Sequence, residues 1–279
     1  MAQNKTWFIT GAGRGFGRIW TEAALERGDR VALTLRDPAR AVDLMERFPE
    51  TALALPLDVT DRAAVFATVK TAHDHFGRLD VIVNNAGFGQ MGAIEEVDEA
   101  SIRANFETNV FGTLSVIQAT LPYLRAQHSG HIVNLSSVAG VVAVPTAGIY
   151  EGAKFAVEGI SEALAAEVAQ FGIHVTIVEP SGYATDFLST SSIGEAPSMP
   201  EYDALRVELQ ASLGADSLGD PAASAEALLT LVDADTPPLR LMLGNLLPLV
   251  KQVYAERIAT WEAWDHVAMA AHGRATTGP

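Results

Sequence analysis

Residues 6–17 read TWFITGAGRGFG. The first five form a short apolar run that stops at a cluster of glycines, the pattern of a buried strand. Gly11, Gly15 and Gly17 are spaced G-x-x-x-G-x-G, and a helical pattern follows over about 16–27. Glycine permits the tight turn and lets a pyrophosphate approach the backbone. The helix N-terminus then offers amide hydrogens to the phosphates. An ordinary strand-to-helix turn can also be glycine-rich, but a position directly after the first strand favours the phosphate reading. The stretch lacks the Gly-Lys-Ser/Thr of an ATP-binding loop.

Similar apolar runs recur at RVALTL (30–35), TALALPL (51–57), LDVIVN (79–84), GHIVNLS (130–136) and GIHVTIVEP (172–180). Between them lie helical patterns at about 61–76, 99–126 and 148–170. Alternating helices and near-continuous apolar strands imply a parallel sheet covered on both faces. Right-handed crossovers make this a doubly wound, Rossmann-type α/β fold. Beyond Pro180, LSTSSIGEAPSMP (188–200) reads as a loop, followed by a short helix near 201–213. Asp220 before Pro221 opens a helix over 220–233, LRLMLG (239–244) reads as a last strand, and LPLVKQVYAERIATWEAWDHVA (247–268) is helical by period. The expected organisation is one Rossmann-type domain over 1–279, with a substrate lid at about 186–213 and a C-terminal helical extension at about 245–272.

The 279 residues carry 19 Lys and Arg against 34 Asp and Glu, a net charge of −15. Such a chain repels a phosphate backbone, which disfavours nucleic-acid partners but leaves room for a local basic patch. There is no cysteine, hence no disulfide framework or thiol chemistry. MAQNKTWFIT has no signal-peptide core, and no apolar run has the length of a membrane span. These features point to a cytoplasmic protein without a membrane partner. His73 and His75 in HDH (73–75) are two apart, the wrong spacing for a metal-binding helix face, so no metal site is expected. The acidic runs EEVDEA (95–100) and DAD (233–235) are expected to face solvent. Trp261 and Trp264 are three apart and suit a packing face.

The end of the second strand matters in a dinucleotide fold, because it meets the adenosine ribose. An acid there binds the ribose hydroxyls of NAD, whereas an arginine holds the 2′-phosphate of NADP. Here the residues are Leu35, Arg36 and Asp37, followed by Pro38, which can turn Asp37 away. Arg14 in the glycine loop supplies a second cation. NADP(H) is therefore expected over NAD(H).

In GIYEGAKFAV (148–157), Tyr150 and Lys154 are four residues apart, on one face of a helix. A free tyrosine titrates near ~10, and a nearby ammonium lowers that value. The pair therefore suits acid–base chemistry. With TGAGRGFG, NNAG (84–87), NVFG (109–112) and the serines at 136–137, it follows the motif order of the short-chain dehydrogenase/reductase family, which the chain resembles over about 5–186.

That resemblance implies a seven-stranded sheet, a nicotinamide cofactor, carbonyl or alcohol redox chemistry, and a homodimer or homotetramer paired through 99–126 and 148–170. It marks Tyr150 as general acid/base, Lys154 as its partner, Ser137 rather than Ser136 as the group on the substrate oxygen, and Asn109 as organiser of a proton-relay water. It assigns Gly11, Arg14, Gly15, Phe16, Gly17, Arg36, Asp58, Val59, Asn85, Ala86, Gly87, Pro180, Gly182 and Thr185, with Tyr150 and Lys154, to the cofactor. Two departures stand out. Glu151, Gly152 and Ala153 separate the pair where the family ends in serine, and Gly152 suggests close helix packing. Ser181 replaces the glycine of the family's Pro-Gly, where a freer backbone is expected.

The leading functional expectation is hydride transfer between NADP(H) and a ketone or secondary alcohol. The apolar stretches 138–148 and 183–188 point to a hydrophobic substrate. The alternatives are a cofactor-binding regulator without turnover, and an epimerase or dehydratase using transient hydride transfer.

Overall fold

The computed structural model describes residues 4–185, 187, 192–212 and 218–273, without the side chains of 210–212. In chain order it contains β1 (Thr6–Thr10), α1 (Gly15–Glu26), β2 (Arg30–Leu35), α2 (Val42–Arg47), β3 (Ala52–Pro56), α3 (Arg62–Phe76), β4 (Val81–Asn84) and β5 (Gly89–Met91). There follow α4 (Glu99–Phe106), α5 (Thr113–Gln127), β6 (Gly130–Leu135), α6 (Gly148–Val168), β7 (Ile173–Pro180) and β8 (Ile193–Glu195). The chain continues through α7 (Asp203–Ser212), α8 (Ser224–Asp233), β9 (Arg240–Leu243) and α9 (Leu247–Ala271). It forms two compact units, residues 1–243 and 244–279.

In the first unit, seven parallel strands form one sheet in the order β3-β2-β1-β4-β6-β7-β9. Strand residues alternate between faces. Trp7 and Ile9 of β1 therefore enter a core with Trp20 and Ala24 of α1 and Leu228 of α8. Phe8 enters the opposite core, with Val65 and Val69 of α3, Val116 of α5 and Leu164 of α6. Each core closes over buried polar ties where it needs them: Trp20 Nε1 donates to Ser224 Oγ at 2.9 Å, linking α1 to α8. The order of strands reverses direction between β1 and β4. In such a sheet the crevice outside the strand ends lies at this switch, and the turns after β1, β4, β6 and β7 carry the motif residues.

The apolar runs read from sequence match the seven strands within two residues at each end. Three features differ from expectation. The 99–126 pattern is interrupted: α4 and α5 are joined by a wide π-helical turn, Glu107–Gly112. A 3₁₀ turn (Pro38–Ala41) and α2 fill 38–47. β5 and β8 form a separate two-stranded parallel sheet, too short to be seen as period-two runs. Of the lid expected at 186–213, residues 186, 188–191 and 213 lie outside the described residues.

The second unit is α9 and its flanks. The first turn of α9 holds Pro248 and no acidic residue, and no residue of the helix is buried.

Candidate active site

The glycine turn is shaped by close approach. Gly11 and Gly15 have φ of +68° and +53°, conformations that cost little only for glycine. A Cβ on Gly17 would sit 2.4 Å from Asn85 Nδ2 and 2.5 Å from Gly11 O. Asn85 ties the end of β4 to this turn, its Nδ2 donating to Thr10 O (2.8 Å) and Gly11 O (3.1 Å). The amides of Asn85 and Ala86 donate to Thr10 Oγ1 at 3.0 and 3.1 Å. Helix α1 starts behind Arg14 with no side-chain cap and no acidic residue in its first turn. Its first amides thus lack the side-chain acceptor that ordinarily caps a helix. This is what a dinucleotide pyrophosphate requires, and the residues fit that group. Phe16 stacks on Trp20 with ring centroids 5.1 Å apart and meets Tyr183 edge-on at 5.0 Å, so its ring serves packing.

At the end of β2, Arg36, Asp37 and Arg40 are all exposed. Asp37 is occupied locally: its Oδ1 accepts from Ala39 N at 3.1 Å and caps the Pro38–Ala41 turn. Arg40, which sequence reading passed over, lies by the glycine loop, with its Cδ 3.6 Å from where a Cβ on Gly13 would be. The neighbouring cations are neutralised, Arg18 by Glu22 and Asp43, and Arg47 by Glu22 and Glu26. Neither Arg36 nor Arg40 pairs with a carboxylate among the described residues. In a chain of net charge −15, these two exposed cations stand without that neutralisation. Asp58 is exposed and holds Thr60 N and Oγ1 at 3.0 and 2.8 Å. Val59 is buried against Gly112, whose missing Cβ would lie 2.7 Å from Val59 Cγ2.

Around Tyr150 the polar groups converge. Lys154 is 5% exposed, and its Nζ donates to Leu135 O at 2.7 Å. Ser137 faces the Tyr150 phenol closely enough to favour its charged form. The Ser137 Oγ accepts from Ala139 N at 3.1 Å and lies 3.4 Å from Pro180 O. Ser136 Oγ is buried without a partner among the described residues and fills the space where Gly140 would carry a Cβ. Asn109 sits in the π-helical turn, and its Nδ2 donates to Phe88 O and Asn105 O, both at 3.0 Å. Its Oδ1 is buried and unpartnered among the described residues, 2.4 Å from the Cβ position of Gly87. Lys154 Nζ is 3.8 Å from the same point, so Gly87 must be glycine for these groups to approach.

The electrostatics differ from the expectation that Lys154 lowers the phenol. Burial raises the Tyr150 phenol well above its ordinary value; Ser137 opposes this and the Glu151 charge adds to it. Lys154 Nζ is 5.6 Å from the ring centroid, and burial brings its own value down to about 8. Desolvation of the phenolate therefore outweighs the ammonium within this chain.

Glu151 is a buried carboxylate that sequence reading left without a role. Its Oε1 accepts from Val144 N at 2.7 Å, holding the 141–147 loop against α6, while burial pushes the carboxyl up to about 7. A signal was present: Glu151, Lys154, Glu158 and Ser161 recur at helical spacing, and all four are buried. Arg240 answers this polar stripe, pairing with Glu158, with Glu162 at 2.7 Å and with Glu179 at 3.1 Å.

Several lesser expectations are corrected. Glu96, in the run expected to face solvent, has a buried side chain paired with Arg206. Together with the amides of Met199 and Ala93, Arg206 holds this carboxyl down at about 2. The pairing anchors α7 to the turn before α4. Gly152 makes no close approach, since a Cβ there would meet only Phe106 Cζ at 3.7 Å. Ser181 is not among the described residues of positive φ, so its backbone asks for no glycine.

The segment after β7 returns over the site. Thr185 Cβ lies 3.8 Å from the Cβ position of Gly15. The Phe187 ring is tilted against Tyr150 with centroids 5.7 Å apart. Gly219 N donates to Gly182 O at 2.9 Å, closing this segment onto the lead-in to α8.

A family profile described as short chain dehydrogenase matches residues 5–196. The chain is 40% identical over 246 residues to "Oxidoreductase BOA17" of Botryotinia fuckeliana, covering 86% of this chain and 89% of that protein. It is 36% identical over 251 residues to a 3-ketodihydrosphingosine reductase of Bacteroides thetaiotaomicron, covering 89% and 90%. A short-chain dehydrogenase from Streptomyces avermitilis superposes with a TM-score of 0.89 at 37% identity, over 97% of this chain and 99% of that one. An alcohol dehydrogenase from Thermococcus sibiricus in complex with 5-hydroxy-NADP gives 0.72 at 25% identity, over 86% and 96%. A short-chain dehydrogenase/reductase from Burkholderia phymatum in complex with NAD gives 0.77 at 25% identity, over 99% and 98%. With its parallel sheet and glycine turn, and a profile match over more than half its length, the chain belongs to the short-chain dehydrogenase family.

Proposed function

We propose that this oxidoreductase transfers a hydride between NADP(H) and a ketone or secondary alcohol with a hydrophobic body. The observation that carries the cofactor choice is that Arg36 and Arg40 are exposed without a carboxylate partner among the described residues, Arg40 near Gly13 of the loop that carries Arg14, with Asp37 turned into its own cap. A guanidinium grips a phosphate with paired hydrogen bonds, and only NADP(H) brings a phosphate to this end of the groove. The substrate class draws on Val141, Val142 and Val144 in the loop held by Glu151, and on the 3-ketodihydrosphingosine in the name of the Bacteroides relative.

The nicotinamide, when bound, supplies or accepts the hydride. The turn at Gly11–Gly17 and the first amides of α1 would hold the pyrophosphate, and Asn85, Ala86, Gly87, Pro180, Gly182 and Thr185 would contact the rest of the cofactor. Asp58 and Val59 border the adenine. Lys154, an ammonium below about pH 8, donates to a ribose hydroxyl. Ser137 donates to the substrate oxygen, where charge develops. Tyr150, kept protonated by burial, gives that oxygen its proton in reduction and recovers it in oxidation. Asn109 Oδ1 accepts from a water that returns the proton towards solvent. We assign the lid to the described residues of 186–213, which are 187 and 192–212, within one Rossmann domain carrying a C-terminal extension. The helices of 99–127 and 148–168 expose Phe111 and Phe155 and serve a homodimer or homotetramer. No helix among the described residues is long and apolar enough to cross a membrane, and we assign the enzyme to the cytoplasm.

The test is turnover of a panel of aliphatic, aryl and long-chain ketones with NADPH and NADH, followed by absorbance. Consumption of NADPH with a hydrophobic ketone supports the reading. Binding of NADPH without consumption across the panel would favour a regulator instead, and product without net cofactor change would favour an epimerase or dehydratase.

A further inference from the structure

Segment 138–149 joins Ser137 to Tyr150. Within it Thr146 has φ of +67°, one of two non-glycine residues of positive φ among the described residues. A β-branched residue in that region is strained, and such strain persists only where the surroundings hold it. Two hydrogen bonds hold this one. Gly92 N donates to Thr146 O at 2.8 Å, tying the segment to the chain just after β5. Val144 N donates to Glu151 Oε1 at 2.7 Å. Val144 precedes the strained residue and Glu151 lies in the first turn of α6, so this second bond spans the strain from both sides.

The loop so held has an apolar tip. Ala143, Val144 and Pro145 are exposed, whereas Val141 and Val142 before them are buried. Glu151 is the reverse, a carboxylate that is only 2% exposed. Buried glutamates are ordinarily paired with a cation or a metal, yet among the described residues it is the Val144 amide that offsets the burial of Glu151. A carboxylate desolvated for one amide gives the fold little. What the bond changes is where the 141–147 loop lies.

We propose that Glu151 is a positioning residue for the substrate: through the Val144 amide it holds the strained loop as an apolar wall beside Tyr150, and so sets how tightly the hydrophobic body of the ketone is bound. This rests on the reading of a hydrophobic ketone as substrate. Such a wall binds that body alike before and during the reaction, so its loss acts on KM and not on kcat.

Glu151→Met and Glu151→Gln separate the bond from the volume. Both fill the place of the carboxylate, and only Gln keeps a carbonyl to accept from Val144 N. In the full chain, Glu151→Met should raise KM for a long-chain methyl ketone about tenfold, as for a wall in place about a tenth of the time. Its kcat and NADPH affinity should stay near wild type, and KM for a short methyl ketone should move little. Glu151→Gln should return the long-chain KM to wild type. Hydrogen exchange over 141–147 reads the same bond without substrate; it should quicken about tenfold in Glu151→Met and slow again in Glu151→Gln. An unchanged long-chain KM in Glu151→Met, an equal rise for both ketones, a rise in both variants, or a loss in kcat instead of KM would each overturn the proposal, as would unchanged exchange. A wild type that turns over no ketone would sink the substrate reading by itself, and exchange in the two variants would still decide whether Glu151 holds the loop.

Discussion

Around Tyr150, Lys154 and Glu151 on α6 and Asn109 in a helical turn are buried, and Ser137, just after β6, is half-buried, each with hydrogen bonds to the backbone. Around Arg36 the charged groups are exposed and mounted on a turn, and two of the arginines have no carboxylate among the described residues. The contrast teaches where each kind of selectivity comes from. Proton transfer needs a group held within hydrogen-bond reach in a set protonation state, which burial and backbone bonds provide. Recognition of an extra phosphate needs net charge within reach of water, which a folded core cannot hold.

The largest effect should come from breaking the buried end. Tyr150→Phe removes the proton donor and should lower kcat by ~10²–10⁴-fold, with NADPH affinity unchanged. Single-turnover kinetics beside a fluorescence titration of NADPH checks both halves, and a kcat near wild type would remove Tyr150 from its role.

Arg36→Ala tests the exposed end. Loss of a charged hydrogen bond of about 1.5–3 kcal/mol should weaken NADPH by roughly tenfold to a hundredfold and leave NADH nearly unaffected. The measurement is kcat/KM for both cofactors; equal losses, or a wild-type preference for NADH, would mean that the phosphate lies elsewhere. Arg40→Ala should act in the same sense but less, about 1 kcal/mol or roughly fivefold, as suits a solvent-screened cation. Raising salt should shrink that difference.

The smallest effect sharpens the comparison from the stability side. In the unfolded chain the Glu151 carboxyl titrates near 4.5, and in the folded chain it titrates at about 7. Between those values the folded state binds the extra proton. Its contribution to stability is therefore whole below 4.5 and is lost as the pH rises through 7. Glu151→Gln keeps the acceptor for Val144 N and removes the titration. Its urea midpoint should rise relative to wild type between pH 5 and pH 8, and parallel midpoints would show that the carboxyl is not desolvated.

Most of the frame was legible along the chain because it rests on local signals. Seven apolar runs became seven parallel strands, and Gly11, Gly15, Gly17 and Gly87 stand where a turn or a close contact forbids a side chain, whereas Gly152 does not. Asp220 was read as a helix opener and accepts from Ala222 N at 2.9 Å. β5 and β8 were not legible, since three-residue strands carry no period and each is defined by the other, about a hundred residues away.

The burial of charge was also out of reach. Glu96 looks like any member of EEVDEA until α7 brings Arg206 to it. Glu151 looks like a surface residue beside Tyr150 until the 141–147 loop folds over it.

The sequence by itself determined the fold class, the order of the motifs and the pairing of Tyr150 with Lys154, because each depends on spacing along one strand, turn or helix. Only the tertiary structure decided the electrostatic state of that pair. The spacing brought an ammonium near a phenol and suggested a lowered pKa. The packing of α6 against the sheet removed water from both groups, and the lost hydration outweighs their mutual attraction. Solvation is a property of everything that surrounds a group, and no stretch of chain carries it alone.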